Sequence, residues 1–148
     1  MIEHYPLSDW HGGKVRHIIQ DKIIYLERGQ IYDIEGKTFF CLGDASSHDI
    51  EDGILDRTTL DFKEKLKSLK RLKKKRYRIL NEPWWSQELP NEEELTKALL
   101  TLQGVDNKVN YVITHCCSSR VEELLGCKNH DRLTDFFNYI DVFVDFKH

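Results

Sequence analysis

The chain has 148 residues, of which 40% are hydrophobic and 11% aromatic. This length predicts a single domain over residues 1–148, and this composition argues against an intrinsically disordered chain. No apolar run approaches the roughly 20 residues that a membrane-spanning helix needs, and residues 1–6 lack the basic and apolar regions of a signal peptide. We therefore expect a cytoplasmic protein whose four cysteines are reduced thiols or metal ligands rather than a disulfide framework.

The net charge of −3 hides an uneven distribution. The segment from Lys63 to Arg78 holds ten of the 22 basic residues and one of the 25 acidic ones, a balance of +9, which leaves −12 for the rest. A solvated helix face, a surface for phosphate backbones and a docking site for an acidic protein are all consistent with such a basic segment. The candidate partner-binding residues are Lys70, Arg71, Lys73, Lys74, Lys75 and Arg76.

The first third of the chain is rich in β-forming residues. Its short runs, punctuated by Gly29 and Gly36, predict an antiparallel meander with tight turns. The predicted strands are Val15–Ile19, Lys22–Glu27, Gln30–Ile34 and Thr38–Leu42. Loops are expected from Gly43 to about Thr59.

The rest of the chain predicts helices separated by two strands. A basic helix is expected from Leu60 to about Leu80, with an apolar stripe at Phe62, Leu66, Leu69 and Leu72. A second helix begins at Pro90–Glu94, where Asn91 and Glu94 have capping-box spacing, and runs to about Leu102. A strand ending near His115, a short helix over 120–125, a helix over 131–140 and a strand over 142–146 complete the chain. We predict an α/β chain of the α+β kind, with a mixed sheet flanked by helices.

Five candidate metal ligands fall within sixteen residues, namely His115, Cys116, Cys117, Cys127 and His130. Structural zinc sites use four Cys and His ligands, so this cluster predicts a zinc site. If the strand stays extended through these positions, His115 and Cys117 face the same side. His48 and Asp49 are weaker additional candidates for a ligand or contact. The alternative is that Cys116 and Cys117 are small buried hydrophobes and that His130 caps a helix.

Three motifs occur in the order found in one enzyme family. They are the segment 43–49 (GDASSHD), the segment 84–90 (WWSQELP) and the segment 109–117 (VNYVITHCC). They resemble the Gly-Gly-Ala-x-Ser-x-Asp loop, the Trp-Trp-x-x-Glu-x-Pro turn and the Tyr-Ile-Ile-Thr-His strand of bacterial calcineurin-like metallophosphoesterases. Segments 5–15 and 131–148 are also similar to that family. The resemblance implies a partial metallophosphoesterase-like fold, truncated at both ends.

The same resemblance argues against catalysis. The family's metal motifs Asp-x-His, Gly-Asp-x-x-Asp, Gly-Asn-His-Glu and Gly-His-x-His have no counterpart here, and only His115 matches a family ligand. A two-metal phosphoesterase holds its ions about 3.5–4 Å apart, which one histidine cannot achieve. Ser118–Ser119 also departs from the Pro-Thr-Ser that follows the cysteines in the family.

We therefore expect a non-catalytic, zinc-stabilised binding protein. Small acidic proteins of this kind resemble phage-encoded anti-CRISPR inhibitors, which implies action in a host cytoplasm, with a CRISPR effector nuclease as the partner and DNA loading as the blocked step. Nucleic acid is a further candidate partner through the basic helix. The alternative is a minimal or split metal-dependent phosphoesterase that uses His115 as a ligand and His11 or His48 as a phosphate contact. A sheet edge left open by the missing strands would favour a homodimer.

Overall fold

The computed structural model describes residues 2–20, 22–43, 50, 52–82, 89–126 and 130–147. Its contacts divide the chain into two compact units. Unit 1 comprises Met1–Asp44 and Pro90–His148, and unit 2 comprises Ala45–Leu89. The described residues form three small sheets and four α-helices, which confirms the predicted α+β class. The single domain and the metallophosphoesterase-like fold stay predictions.

The first sheet of unit 1 is an antiparallel arrangement of β1 (Leu7–Trp10), β2 (Gly13–Ile19) and β3 (Ile23–Leu26), in that order. β1 and β2 are joined by a two-residue loop, His11–Gly12, in which both residues have positive φ angles. Such loops match the twist of a hairpin. The sequence did not predict β1, because its four residues alternate only weakly between apolar and polar.

The second sheet of unit 1 is mixed, as predicted. β4 (Gln30–Ile34) and β5 (Lys37–Leu42) pair antiparallel, while β5 and β8 (Tyr111–Thr114) pair parallel. The single four-stranded meander is wrong, because β3 and β4 belong to different sheets. The chain changes sheet at Gly29, whose φ is +71° and whose N–H donates to the Cys41 carbonyl.

A core between the two sheets holds unit 1 together. It contains Val15, Tyr32 and Cys41, with Trp10, Leu26 and other half-buried side chains packed around them. Successive strand residues face opposite sides, so Phe40 and Leu42, both fully buried, face away from this core. On that side Val112 and Thr114 of β8 line a cavity together with residues of a helix, α4 (Arg132–Phe143). Strand alternation therefore creates two apolar layers from one sheet.

The helices of unit 1 begin where the sequence predicts. α2 (Glu92–Gln103) has the complete capping box between Asn91 and Glu94. α3 (Ser119–Leu124) is capped by Ser118, and α4 is capped by Asp131, whose carboxylate accepts from two backbone N–H groups. The predicted final strand is wrong, because α4 continues to Phe143. Beyond it, one parallel bridge joins Lys108 and Asp145.

Unit 2 contains the basic helix and a two-stranded parallel sheet. The strands are β6 (Ile54–Leu55) and β7 (Arg78–Ile79), and the helix α1 spans Phe62–Arg71. The prediction of a helix to about Leu80 is wrong, because the helix stops nine residues earlier. The backbone turns at Lys73, which has a φ of +55°, and the chain then returns to form β7.

In the described part of the chain, no helix is long and apolar enough to cross a membrane.

Candidate functional site at the end of strand β8

The predicted ligands follow directly after β8, which ends at Thr114. The chain does not stay extended there, so the expected pairing of His115 with Cys117 does not arise from strand alternation. His115 is exposed, whereas Cys116 and Cys117 are half-buried and line the same cavity. The structure therefore brings the two thiols together and leaves the imidazole of His115 in solvent.

The cavity has a volume of about 190 Å³ and lies between β8 and the helices α3 and α4. One part of its lining is apolar and comes from Val112, Val121, Phe137, Ile140 and Phe146. The other part is polar and comes from Thr114, Cys116, Cys117, Ser118 and Asp141. Thiols, hydroxyls and a carboxylate are groups that bind a cation or donate to a small polar ligand.

A partly buried polar network joins α3 to α4 beside this cavity. The hydroxyl of Ser118 donates to Asp141 Oδ2 at 2.5 Å, and the hydroxyl of Ser119 donates to Asp135 Oδ1 at 2.8 Å. Asn138 Nδ2 donates to Ser119 Oγ at 2.7 Å. Both serines are buried, and their hydrogen bonds connect the start of α3 to α4. In the sequence these serines stand out only as a departure from a family motif.

Acidic residues surround Cys116. Burial, and to a smaller extent the nearby Asp131, Glu122 and Cys117, together raise the pKa of the Cys116 thiol to about 11. The thiol is therefore protonated near neutral pH. A negative field that opposes a thiolate also attracts a cation, and a bound metal would reverse the preference by displacing the thiol proton.

Glu122, near Cys116, has a buried carboxylate with one oxygen that lacks a hydrogen-bond partner among the described residues. The residue is only 7% exposed, and the oxygen in question is Oε2. Buried carboxylate oxygens normally have partners, because an unpaired one is costly. Glu122 is not recognisable from the sequence, since its position on one turn of a short helix belongs to no motif.

His130 lies among carboxylates. Its Nε2 is 3.2 Å from Glu123 Oε1, and its Nδ1 is 4.0 Å from Asp135 Oδ1. His11, the candidate phosphate contact, donates its Nδ1 hydrogen to the Asp33 carbonyl at 2.7 Å. Each imidazole is thus held by oxygen acceptors in unit 1.

The described residues contain no group of three or more His, Cys, Asp and Glu side chains placed to hold a metal ion. Cys127, His48 and Asp49 lie outside the described residues, as does the Trp84–Trp85 pair. Cys116 and Cys117 line one cavity, and a structural zinc site takes four ligands. The zinc site stays a prediction.

Two large apolar side chains project from the end of α3. Leu124 is 86% exposed and Leu125 is 72% exposed. We call this pair the α3 apolar surface. Ile113 on β8 is also 51% exposed. It pairs with Cys41 and lies on the same face of the second sheet as Phe39 and Cys41, the face directed toward the first sheet. These residues are not recognisable from the sequence, because the exposure of an apolar side chain depends on what packs against it.

The basic residues singled out from the sequence lie in unit 2. Lys70, Arg71, Lys73, Lys74, Lys75 and Arg76 are all exposed. Lys74 pairs with Asp52 at 3.0 Å, and within α1 Lys65 pairs with Asp61 at 2.7 Å. The basic segment is therefore available at the surface of its unit.

Comparison of the chain with protein-family models, with curated proteins and with solved structures found no match.

Proposed function

We propose that this chain is a non-catalytic binding protein that contacts a protein partner through the α3 apolar surface of unit 1. The observation that carries the proposal is the exposure of Leu124 and Leu125, at 86% and 72%. Exposed apolar surface of this kind, with polar residues around it, is typical of protein contact sites. Burying one leucine side chain in an interface contributes about 1.5–3 kcal/mol, so the pair can act as an anchor.

The charge around this surface favours a basic partner. Glu123 and Asp135, near the ends of α3 and α4, have exposed side chains. Unit 1 as a whole carries 17 acidic and 11 basic residues. Complementary charge speeds association and selects partners, and proteins that handle nucleic acid present basic surfaces. We propose a CRISPR effector nuclease as the partner and blocked DNA loading as the effect, in line with the sequence resemblance.

The test uses a purified effector nuclease loaded with its guide RNA. Biolayer interferometry measures binding of the chain, and a gel shift measures loading of target DNA. We expect Leu124→Ala combined with Leu125→Ala to weaken binding at least about tenfold, as loss of an anchor does. Leu60→Ala is the matched control, because Leu60 is fully exposed in unit 2. Absence of binding at micromolar concentration, or equal loss in the control, would overturn the proposal.

We further propose that zinc stabilises unit 1 through ligands drawn from His115, Cys116, Cys117, Cys127 and His130. The shared cavity of Cys116 and Cys117 and the acidic surroundings of Cys116 support this assignment. Zinc bound at such a site stabilises the folded chain directly.

Metal content per chain, measured by mass spectrometry, tests the zinc proposal. We expect zinc in the wild type and its loss in Cys116→Ser, Cys117→Ser and Cys127→Ser. Cys41→Ala is the control, because Cys41 is buried in the core between the sheets. Equal zinc in all variants, or none in the wild type, would contradict the proposal. Manganese or iron bound independently of the cysteines, with phosphodiester hydrolysis lost in His115→Ala, would establish the phosphoesterase alternative.

A further inference from the structure

The basic segment of unit 2 contains two kinds of cation. Lys65 and Lys74 are neutralised by the carboxylates of Asp61 and Asp52. Six other cations are exposed and form no ion pair with any described residue. They are Lys63, Lys67, Lys70, Arg71, Lys73 and Lys75, and we call them the cationic surface. The surface thus places five lysines and one arginine, all without an ion pair among the described residues, within thirteen residues of the chain.

Four members of the cationic surface share one side of α1. At 3.6 residues per turn, positions 63, 67, 70 and 71 fall within an arc of about 100°. The apolar side chains of α1 occupy a different arc, in which Phe62 is buried and Leu66 and Leu69 are half-buried. The helix therefore presents a continuous row of positive charges along its length, with Glu64 as the one carboxylate inside the segment.

Lys73 provides an independent observation. The helix ends with two reverse hydrogen bonds, from Lys73 N–H to the Lys70 carbonyl and from Lys74 N–H to the Leu69 carbonyl. This pattern is a Schellman motif, in which the residue at the position of Lys73 is left-handed and is usually glycine. Lys73 has a φ of +55°, which is unfavourable for a side chain with a Cβ atom. Strained residues of this kind are found more often at functional sites than elsewhere.

We infer that the cationic surface binds the phosphate backbone of a nucleic-acid duplex without recognising its bases. Duplex DNA carries one negative charge per about 1.7 Å of axis, twice the density of one strand, so a row of unpaired lysines gains most from a duplex. Binding of single strands relies on aromatic side chains that stack on bases. The basic segment from Lys63 to Arg78 contains one aromatic residue, Tyr77, which is half-buried, so it lacks an exposed row of aromatic side chains. This inference concerns unit 2 and is independent of the proposed function.

The experiment is a salt titration with the full chain. Fluorescence anisotropy measures binding to a labelled DNA duplex, an RNA duplex of the same sequence and a single strand. If about five or six phosphates are contacted, the logarithm of the binding constant falls with that of the salt concentration with a slope of about −5. Binding to either duplex, or to both, with a slope of this size supports the inference.

Matched variants identify the cations involved. Lys67→Gln and Lys70→Gln should each reduce the slope by about 1, whereas Lys65→Gln should change it less, because Lys65 is already paired with Asp61. Glu64→Gln should tighten binding about two- to threefold by removing a repulsive charge. Circular dichroism confirms that each variant keeps its helices.

Three results would overturn the inference. The first is no duplex binding at about 50 mM salt, where such contacts are strong. The second is tighter binding to the single strand or to polyglutamate than to either duplex, which would point to base stacking or to an acidic protein. The third is an equal effect of Lys65→Gln and Lys67→Gln on the slope.

Discussion

The two units of this chain differ in how many apolar side chains they bury. Among the described residues, unit 2 contributes only Leu55 and Phe62 to the buried apolar side chains. Unit 1 contributes all the others, including the fully buried Tyr32, Phe40 and Leu42. Apolar burial is the dominant favourable term in folding. Unit 1 is therefore held by packing, whereas unit 2 depends on polar contacts.

The polar contacts of unit 2 are specific, and most of their side chains are exposed, although that of Asp52 is only 11% exposed. Asp52 accepts from the backbone N–H of Arg76 and pairs with Lys74, and the hydrogen bond from Lys74 is the main cause that lowers its pKa. Arg57 pairs with Glu82 at 2.5 Å and lies over the ring of Phe62. Exposed ion pairs contribute little each. Apolar packing therefore determines the structure of unit 1, whereas unit 2 presents most of its charged side chains to solvent.

The largest expected effect is in the core of unit 1. Phe40→Ala should lower the free energy of unfolding by about 3–5 kcal/mol, because it removes a fully buried ring. Urea unfolding followed by circular dichroism measures the change. Phe62→Ala is the comparison in unit 2 and should reduce hydrogen-exchange protection in α1 while leaving that of β5 unchanged. If Phe62→Ala unfolds both units together, the two units are not energetically distinct.

A smaller effect is expected at Gly13, where β2 passes the ring of Tyr32. A Cβ atom there would lie 2.5–2.9 Å from three ring carbons. The ring cannot easily move, since the single hydrogen of its hydroxyl is shared between the Lys14 and Glu27 carbonyls, which lie 2.8 and 3.1 Å from the hydroxyl oxygen. Gly13→Ala should therefore destabilise the chain by about 1–3 kcal/mol, as overpacking does.

The control for Gly13→Ala is Gly43→Ala, because a Cβ atom at Gly43 meets nothing within 4 Å. Both variants are compared by urea unfolding under the same conditions. A Gly13→Ala variant as stable as Gly43→Ala would show that the contact between Gly13 and Tyr32 tolerates a methyl group.

The pH dependence of unit 1 provides the next test. Burial raises the pKa of Cys41 from 9.0 to about 11, and burial also raises that of Tyr32. Below pH 9 the Cys41 thiol is protonated in both states, so its contribution to stability is complete. Between about pH 9 and 11 the unfolded thiol ionises first, which favours unfolding, and about 1–2 kcal/mol of stability should be lost.

Urea unfolding at pH 7, 9, 10 and 11 measures this loss. Cys41→Ala should show a shallower decline between pH 9 and 11, because it removes one titrating group and leaves Tyr32 and Cys116. An equal loss of stability in the wild type and in Cys41→Ala would show that the pKa of Cys41 is not higher in the folded chain than in the unfolded chain.

Local signals in the sequence predicted much of the fold. The capping box at Asn91 and Glu94 located the start of α2, and the β-rich runs located β2, β3, β4 and β5. The separation of β3 from β4 was not predictable, because strand periodicity does not say which sheet a strand joins. The end of α1 was missed because the Schellman motif uses lysine at Lys73, where glycine would have given a recognisable stop.

The candidate site was predicted only in part. Counting Cys and His residues identified Cys116 and Cys117, which share a cavity, and the departure from strand alternation explains why His115 does not join them. Asp141 and Glu122 reach the same region through the antiparallel approach of α3 and α4, which no spacing rule encodes. Long-range placement of helices therefore determines most of the site, and it depends on packing rather than on local sequence.

The smallest expected effect separates conformation from charge in unit 2. Lys73→Gly removes the left-handed strain at a φ of +55°, so we expect it to stabilise α1 by about 0.5–1 kcal/mol. Lys75→Gly removes the same charge at a position without a positive φ angle and should destabilise the chain slightly, because glycine is more flexible in the unfolded state. Hydrogen exchange at the end of α1 measures both changes. Both variants should weaken duplex binding equally, since each lacks one cation. A Lys73→Gly variant that is stabilised and still binds a duplex as tightly as the wild type would mean that the strained lysine does not contact phosphate.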